Sequence, residues 1–437
     1  MAYTPHTEAE VRAMLEALGL ERLADLYAHL PASLLNPEIE LPEPLDEDGA
    51  LALVEELAAM NRPGKVFLGG GVRDHFIPAI VDTIASRGEF LTAYTPYQAE
   101  ASQGVLQAIF EYQTMIAELT ALDVANASLY DGASALAEGV LLALRATRRM
   151  HVVASRGVHP EYRQVLGTYL EAVGATLEEV DLEGNRTPVL EVGPEVGAVV
   201  VQSPNFLGAI EAYAGLAEAA HAAGALLVAV VDPLSLAVLR PPGEQGADIA
   251  VGEGQPLGNP MSFGGPHFGF IAVKEGLLRQ LPGRLVSMTE DAEGRRGFVL
   301  SLSAREQHIR RAKAKSNITT NAQNAALRAT VHLAALGPLG LKEAALAAAA
   351  NARRLYELLL EAPGVEPLTR PPFFVEFALS LPRPPEEVRR ALFEVGFHGA
   401  YPIPEYGERA ALFAATERMS EDDLYAFARA FFQAVGG

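Results

Sequence analysis

The 437-residue chain has no cysteine and no tryptophan. Lysine is nearly as scarce, with Lys65, Lys274, Lys313, Lys315 and Lys342 the whole set. Without cysteine there are no disulfides, no thiolate metal sites and no thiol nucleophile. The histidines show no metal-ligand spacing and no Gly-x-Ser-x-Gly elbow occurs, so neither a metal centre nor that type of serine hydrolase is expected. The run "FLGGGVRDHF" has consecutive glycines but not the strand, Gly-loop and helix unit of a dinucleotide fingerprint. Positive charge is in deficit too. A formal net charge of −21 argues against nucleic acid or an anionic membrane as partner. The opening "MAYTPHTEAEVRAMLEALG" lacks the basic and continuous apolar regions of a signal peptide. No charge-free apolar run approaches the roughly 18 residues of a membrane span. The expectation is a soluble, cytoplasmic protein.

What is present is a globular composition, 49% apolar and 20% charged, on a chain long enough for two or three domains. Residues 1–62 read as a helical arm, with Thr7 as N-cap and Glu10 completing a capping box. Residues 63–330 read as a large α/β domain. Its apolar strands "HVVAS", "TLEEVDL", "GAVVVQS", "ALLVAVVD", "DIAVG" and "FGFIAV" are separated at first by helices ending in Gly. That alternation indicates a mostly parallel sheet covered on both faces. Residues 331–437, including an Ala-rich linker helix, read as a small C-terminal α+β domain whose last helix is capped by Ser420 and Asp423. The combination is the fold type I architecture of pyridoxal-phosphate enzymes.

Within that frame, Asp232 ends a central strand, where open α/β sheets place ligands. It suits a partner for a pyridinium nitrogen, or a cap for the turn "DPLS". The later loop "GEGQPLGNPMSFGGPHFG" lies where such enzymes carry a Schiff-base lysine, yet it holds none. A second part of the frame is "NASLYDGASALAEG", a turn opening a helix whose first amides could bind phosphate. There Asp131 stands at the N-cap, followed by Gly132 and Ser134, and its carboxylate would compete with phosphate for the same donors. A Schiff-base lysine needs burial or charged neighbours to lower its pKa. None of the five sits in a segment that looks buried. The rival, a free-standing aminotransferase or lyase, would have to use Lys274.

Two further runs stand out. "FLTAYTPYQAEASQG" gathers Tyr94, Thr95, Pro96, Tyr97, Gln98, Glu100 and Gln103 ahead of a helix. That density suits a surface that orients a small polar ligand or completes a neighbour's pocket, or a loop that anchors the helix. "REQHIRRAKAKSNITTN" concentrates positive charge, including Arg305, His308, Arg310 and Arg311. It is a solvated basic face or a docking patch for an acidic partner.

With "PHTEAEVRAMLEALG", "TAYTPYQAEASQG", "LDVANASLYDGASALAE", "GEGQPLGNPMSFGGPHFGF" and "REQHIRRAKAKSN", the chain resembles, nearly end to end, the glycine decarboxylase P-protein family of the glycine cleavage system. Within the family it is most similar to the subunit 1 (alpha) chains of organisms that split the P-protein in two. The resemblance implies that the cofactor lysine belongs to the beta chain, and that Pro256 stands near its position here. Asp131, Gly132, Ser134, Asp232 and Pro256 would then be a vestigial cofactor site, with no cofactor bound by this chain and pyridoxal phosphate on the beta subunit. The implied partners are that subunit, as α2β2, and lipoylated H-protein. The implied reaction removes CO2 from glycine and passes the aminomethyl group to the lipoyl arm. The Tyr94–Gln98 loop, with Glu100 and Gln103, would line the beta subunit's glycine and lipoyl site. Arg305, His308, Arg310 and Arg311 would dock H-protein or the beta subunit.

Overall fold

A computed structural model describes residues 6–35 and 37–436. The chain divides into two compact units, Met1–Arg62 and Pro63–Gly437. The first holds two helices, α1 (Glu8–Ala17) and α2 (Glu47–Ala59). The capping box is present: the Thr7 amide donates to the Glu10 carboxylate at 2.7 Å, and the Thr7 hydroxyl accepts from the Glu10 amide. Helix α2 buries none of its residues.

In the second unit a seven-stranded sheet is built from β1 (Val124–Ala125), β2 (His151–Ser155), β3 (Thr176–Val180), β4 (Val196–Ser203), β5 (Leu226–Val231), β6 (Ile249–Glu253) and β7 (Gly269–Val273). Its order is β1-β7-β6-β5-β4-β2-β3. Strands β2 to β6 run parallel, while β7 is antiparallel to both β6 and β1. The central strands are apolar throughout because both faces are covered: β5 and β6 are buried almost end to end. Helices α3 (Gln103–Thr120), α4 (Gly132–Thr147), α5 (Pro160–Val173) and α6 (Ala214–Ala222) lie in this layer. An antiparallel hairpin of β8 (Leu285–Glu290) and β9 (Arg296–Ser301), not anticipated from the sequence, follows the sheet.

Helix α7 (Gln323–Leu360) then joins two apolar cores: Ala325, Ala329 and Leu333 pack into the large one, Leu355 and Leu359 into the small one. By length and composition it could cross a membrane. The expected boundary at 330/331 falls inside α7, whose break is at Gly337, with φ 61°, ahead of Pro338. The small layer is a four-stranded sheet of β10 (Glu366–Pro367), β11 (Glu376–Ser380), β12 (Tyr401–Pro402) and β13 (Ala410–Ala414), in the order β10-β11-β13-β12. Helices α8 (Pro385–Glu394) and α9 (Glu421–Gly436) accompany it. The α9 cap is as expected, with the Asp423 carboxylate accepting from the Ser420 hydroxyl at 2.8 Å.

Candidate functional site

The carboxyl ends of β5 and β6 and the start of α4 meet at a small pocket. Asp232 follows β5 directly. One of its oxygens accepts from the amides of Leu234 and Ser235 at 2.8 and 3.3 Å, so it does cap the turn that follows. Its other oxygen is held by the guanidinium of Arg73, which is buried. Arg73 also reaches the Glu376 carboxylate at 2.9 Å. Burial disfavours the charge on Arg73, but the two carboxylates outweigh that and hold its pKa above the ordinary value. The Arg73 backbone is clamped as well: its carbonyl accepts from the Gln255 side chain at 2.9 Å.

Arg73 is placed by the glycine run ahead of it. Gly70 and Gly71 have φ near 106° and 105°, a region open to glycine, and both amides donate to Glu376 Oε1 at 3.0 and 3.2 Å. The run that matched no dinucleotide motif is therefore the support of the site's central cation. Only its glycine spacing could have signalled this.

At the start of α4, Asp131 accepts from the Ser134 amide at 2.7 Å and the Ser134 hydroxyl receives the Asp131 amide. The residues Asp131, Gly132 and Ser134 thus form a self-contained cap. The Gly132 amide donates to Glu253 Oε2 at 3.0 Å. Burial raises Glu253 to a pKa of about 7, bonds from the Gly132 and Gln255 amides offset this only in part, and Asp131 adds repulsion. Tyr162 closes the space: a Cβ on Gly132 would stand 2.2 Å from its hydroxyl. Above the pocket His159 accepts the Glu161 amide at Nδ1, which leaves Nε2–H to donate to the Gly70 carbonyl at 3.0 Å. Its ring lies 5.0 Å from that of Tyr162. Pro256 is buried in the wall. The space left between Arg73, His159, Tyr162, Asp232 and Pro256 is about 60 Å³. Arg73, Glu253, His159, Tyr162 and Glu376 were not foreseen from the sequence.

None of the five lysines is buried. Lys274 keeps 43% of its side chain exposed and pairs with Asp248 at 2.6 Å, away from the pocket.

The two remaining candidate runs come together around one buried residue, Arg284. Its guanidinium donates to the Tyr97 hydroxyl at 3.3 Å, the Thr319 carbonyl at 3.0 Å and Asn321 at 3.3 Å. The Tyr97 ring is 5.5 Å from Arg284 and 6.1 Å from the ring of His308. Tyr94 is 80% exposed, Gln98 and Glu100 are exposed, Thr95 is half-buried and Pro96 is buried. Gln103 is exposed, as expected, but is also an anchor. Its amide bonds both the nitrogen and the carbonyl of Phe298, at 2.9 and 2.8 Å, and so fastens α3 to β9. Arg305 is less available for docking: its guanidinium is spent on the carbonyls of Leu281, Gly283 and Leu302. His308, Arg310 and Arg311 are exposed, although Arg310 also donates to the Ala304 carbonyl at 2.9 Å. The segment is a string of short turns rather than one basic helix.

The strand order, with one strand of seven running antiparallel to its neighbours and a small α+β layer, defines the fold of fold type I pyridoxal-phosphate enzymes. A glutamate decarboxylase from Lactobacillus brevis, 11% identical, shares it with a TM-score of 0.70 over 95% of this chain and 97% of its own. Residues 1–428 match the family model of the glycine cleavage system P-protein, and the chain belongs to that family. A probable glycine dehydrogenase (decarboxylating) subunit 1 from Moorella thermoacetica is 49% identical over 98% of this chain and 99% of its own. A crystal structure of glycine decarboxylase (P-protein) of the glycine cleavage system, in inhibitor-bound form, is 66% identical. It covers 99% of this chain and 100% of its own, with a TM-score of 0.92.

Proposed function

We propose that this chain is the cofactor-free alpha subunit of a two-subunit glycine decarboxylase. It would complete a pyridoxal-phosphate-bearing beta subunit that removes CO2 from glycine and loads the aminomethyl group on the lipoyl arm of H-protein. The observation that carries this is the content of the Asp232 pocket, whose residues do not fit pyridoxal phosphate. The carboxylate suited to a pyridinium nitrogen is paired with Arg73. The α4 amides suited to a phosphate face Asp131 and Glu253, two acids that would repel it. Pro256 has no amine to form an imine, and about 60 Å³ is far below the few hundred Å³ of an ordinary ligand pocket. The rival use of Lys274 is not favoured, because that lysine lies outside the pocket and is engaged by Asp248.

On this view the chain contributes surface rather than chemistry. Tyr94 and Tyr97, with Gln98 and Glu100 beside them, would shape the beta subunit's glycine and lipoyl site. The exposed His308, Arg310 and Arg311 would meet the beta subunit or an acidic H-protein. The subunit naming of the relatives supports a partner subunit. An α2β2 assembly in the cytoplasm is part of this proposal.

The test is an absorbance titration with pyridoxal phosphate of this chain, its beta partner and the mixture, with glycine–bicarbonate exchange assayed in all three in the presence of H-protein. An imine band absent from this chain, and exchange only in the mixture, is expected. A borohydride-reducible adduct at Lys274 with amino-acid turnover by this chain alone would overturn the proposal. Tyr94→Phe and Tyr97→Phe should slow exchange without weakening assembly, and unchanged kinetics in both would remove the loop from the site. Arg310→Glu with Arg311→Glu should raise the apparent Michaelis constant for H-protein and flatten its salt dependence.

A further inference from the structure

A second cavity, of about 540 Å³, opens between α4, α5 and the segment 314–317. Its wall carries an anomaly. Glu138 on α4 is 1% exposed, and its Oε2 is buried without a hydrogen-bond partner among the described residues. Arg145, about two turns further along the same helix, has a buried Nε that is likewise unpartnered. One of its terminal nitrogens donates to the Gln280 carbonyl at 3.2 Å. Burial raises the pKa of Glu138 and lowers that of Arg145; a bond from Ser316 to Glu138 and the attraction between the two charges offset this only in part, so each charge still sits in this wall at a cost. Two opposite charges on one helix, each with an unused polar atom, call for a group between them that donates to the first and accepts from the second.

We propose that this cavity binds a free α-amino acid with an apolar side chain, its ammonium on Glu138 and its carboxylate on Arg145. The rest of the wall sorts by chemistry. Lys315 lines the cavity and makes no ion pair among the described residues, which leaves its ammonium for the same carboxylate. Leu141, Leu144, Met150, Ala172 and Val173 form the apolar part. A phosphate or other dianion is disfavoured by Glu138, and a cation by Arg145 and Lys315. Only a molecule carrying both signs satisfies the wall. Glu138 lies too deep for the side of another folded protein to reach, whereas a small molecule can enter a cavity of this size.

The test is calorimetric titration of the full chain with leucine, phenylalanine, glycine and inorganic phosphate. Leucine or phenylalanine is expected to bind at one site, glycine more weakly and phosphate not at all. Glu138→Gln should weaken binding about tenfold or more, the factor set by one charged hydrogen bond. Val173→Arg is the second variant, at a rim position that is 46% exposed and can be changed without disturbing the fold. It should abolish binding while leaving the circular dichroism and thermal midpoint unchanged. No heat with any amino acid would overturn the proposal and leave water as the partner of Glu138 and Arg145. Glycine binding as tightly as leucine would overturn the assigned ligand class. Neither result bears on the Asp232 pocket, which this inference does not use.

Discussion

Glu253→Gln offers a direct measure of how the α4 start is filled. The glutamate ionises near 4.5 in an unfolded chain but only near 7 in the fold, where burial and Asp131 oppose its charge. Below 4.5 the group is neutral in both states and contributes nothing. Between 4.5 and 7 the unfolded state releases a proton that the folded state keeps, so stability falls as pH rises by about 1.4 kcal/mol per unit. Above 7 the loss is complete, about 3 kcal/mol. From about pH 5.5 to 8 the native protein should therefore lose about 2 kcal/mol through this one group. The glutamine variant, which cannot ionise and still offers an oxygen to Gly132 N, should not. Urea unfolding followed by circular dichroism at the two pH values, on both proteins, isolates the term, because groups remote from Glu253 titrate equally in each. Parallel losses in the two proteins would refute the idea that Glu253 is held near neutrality beside Asp131.

His332 gives the opposite sign. Burial, with His75 nearby, lowers it from 6.5 to about 4, so the native protein should lose up to about 3 kcal/mol as pH falls from 6.5 to 4, and His332→Gln should remove that part of the acid sensitivity in an acid-unfolding series. Gly132→Ala should lower the thermal midpoint, at a cost of about 1–3 kcal/mol, because the new methyl meets the Tyr162 hydroxyl at 2.2 Å and the Glu253 nitrogen at 2.9 Å. A Gly132→Ala midpoint equal to that of the native protein would mean that Tyr162 moves freely.

The sheet was legible because its strands are continuous apolar runs, and a run such as "ALLVAVVD" has few alternatives once helices separate it from its neighbours. Local caps were legible because their spacing decides their geometry: the Thr7–Glu10 and Ser420–Asp423 pairs are three residues apart, and Asp131 was readable as an N-cap. The hairpin β8–β9 escaped because "LVSMTE" and "RGFVLS" are neither cleanly alternating nor uniformly apolar. The contents of the pocket escaped for a different reason. Arg73 and Asp232 are 159 positions apart, and Gly132 and Glu253 are 121 apart, so no local pattern announces either pair. Arg305 looked free for docking, and the anchoring role of Gln103 went unseen, because composition shows a polar side chain but not the backbone atoms of Leu281 or Phe298 that come to meet it.

On the proposed reading, the pocket also explains how such a frame persists without a cofactor. A carboxylate at the end of β5 and free amides at the start of α4 are costly when buried without partners. Arg73 answers the first and Glu253 the second, each with the sign of charge required. The Arg73 pair does more than neutralise, since Asp232 ends a strand of the large sheet and Glu376 begins β11 of the small one. One buried guanidinium thereby ties both layers to the glycine run at 69–71, whose amides share the Glu376 oxygen. Breaking a buried pair of this kind typically costs about 3–5 kcal/mol, much of it from the charge left behind. A lysine at 256 alone would therefore not rebuild a cofactor site. Arg73 and Glu253 would also have to leave, and each departure strands a buried charge or amide that the fold now relies on them to satisfy.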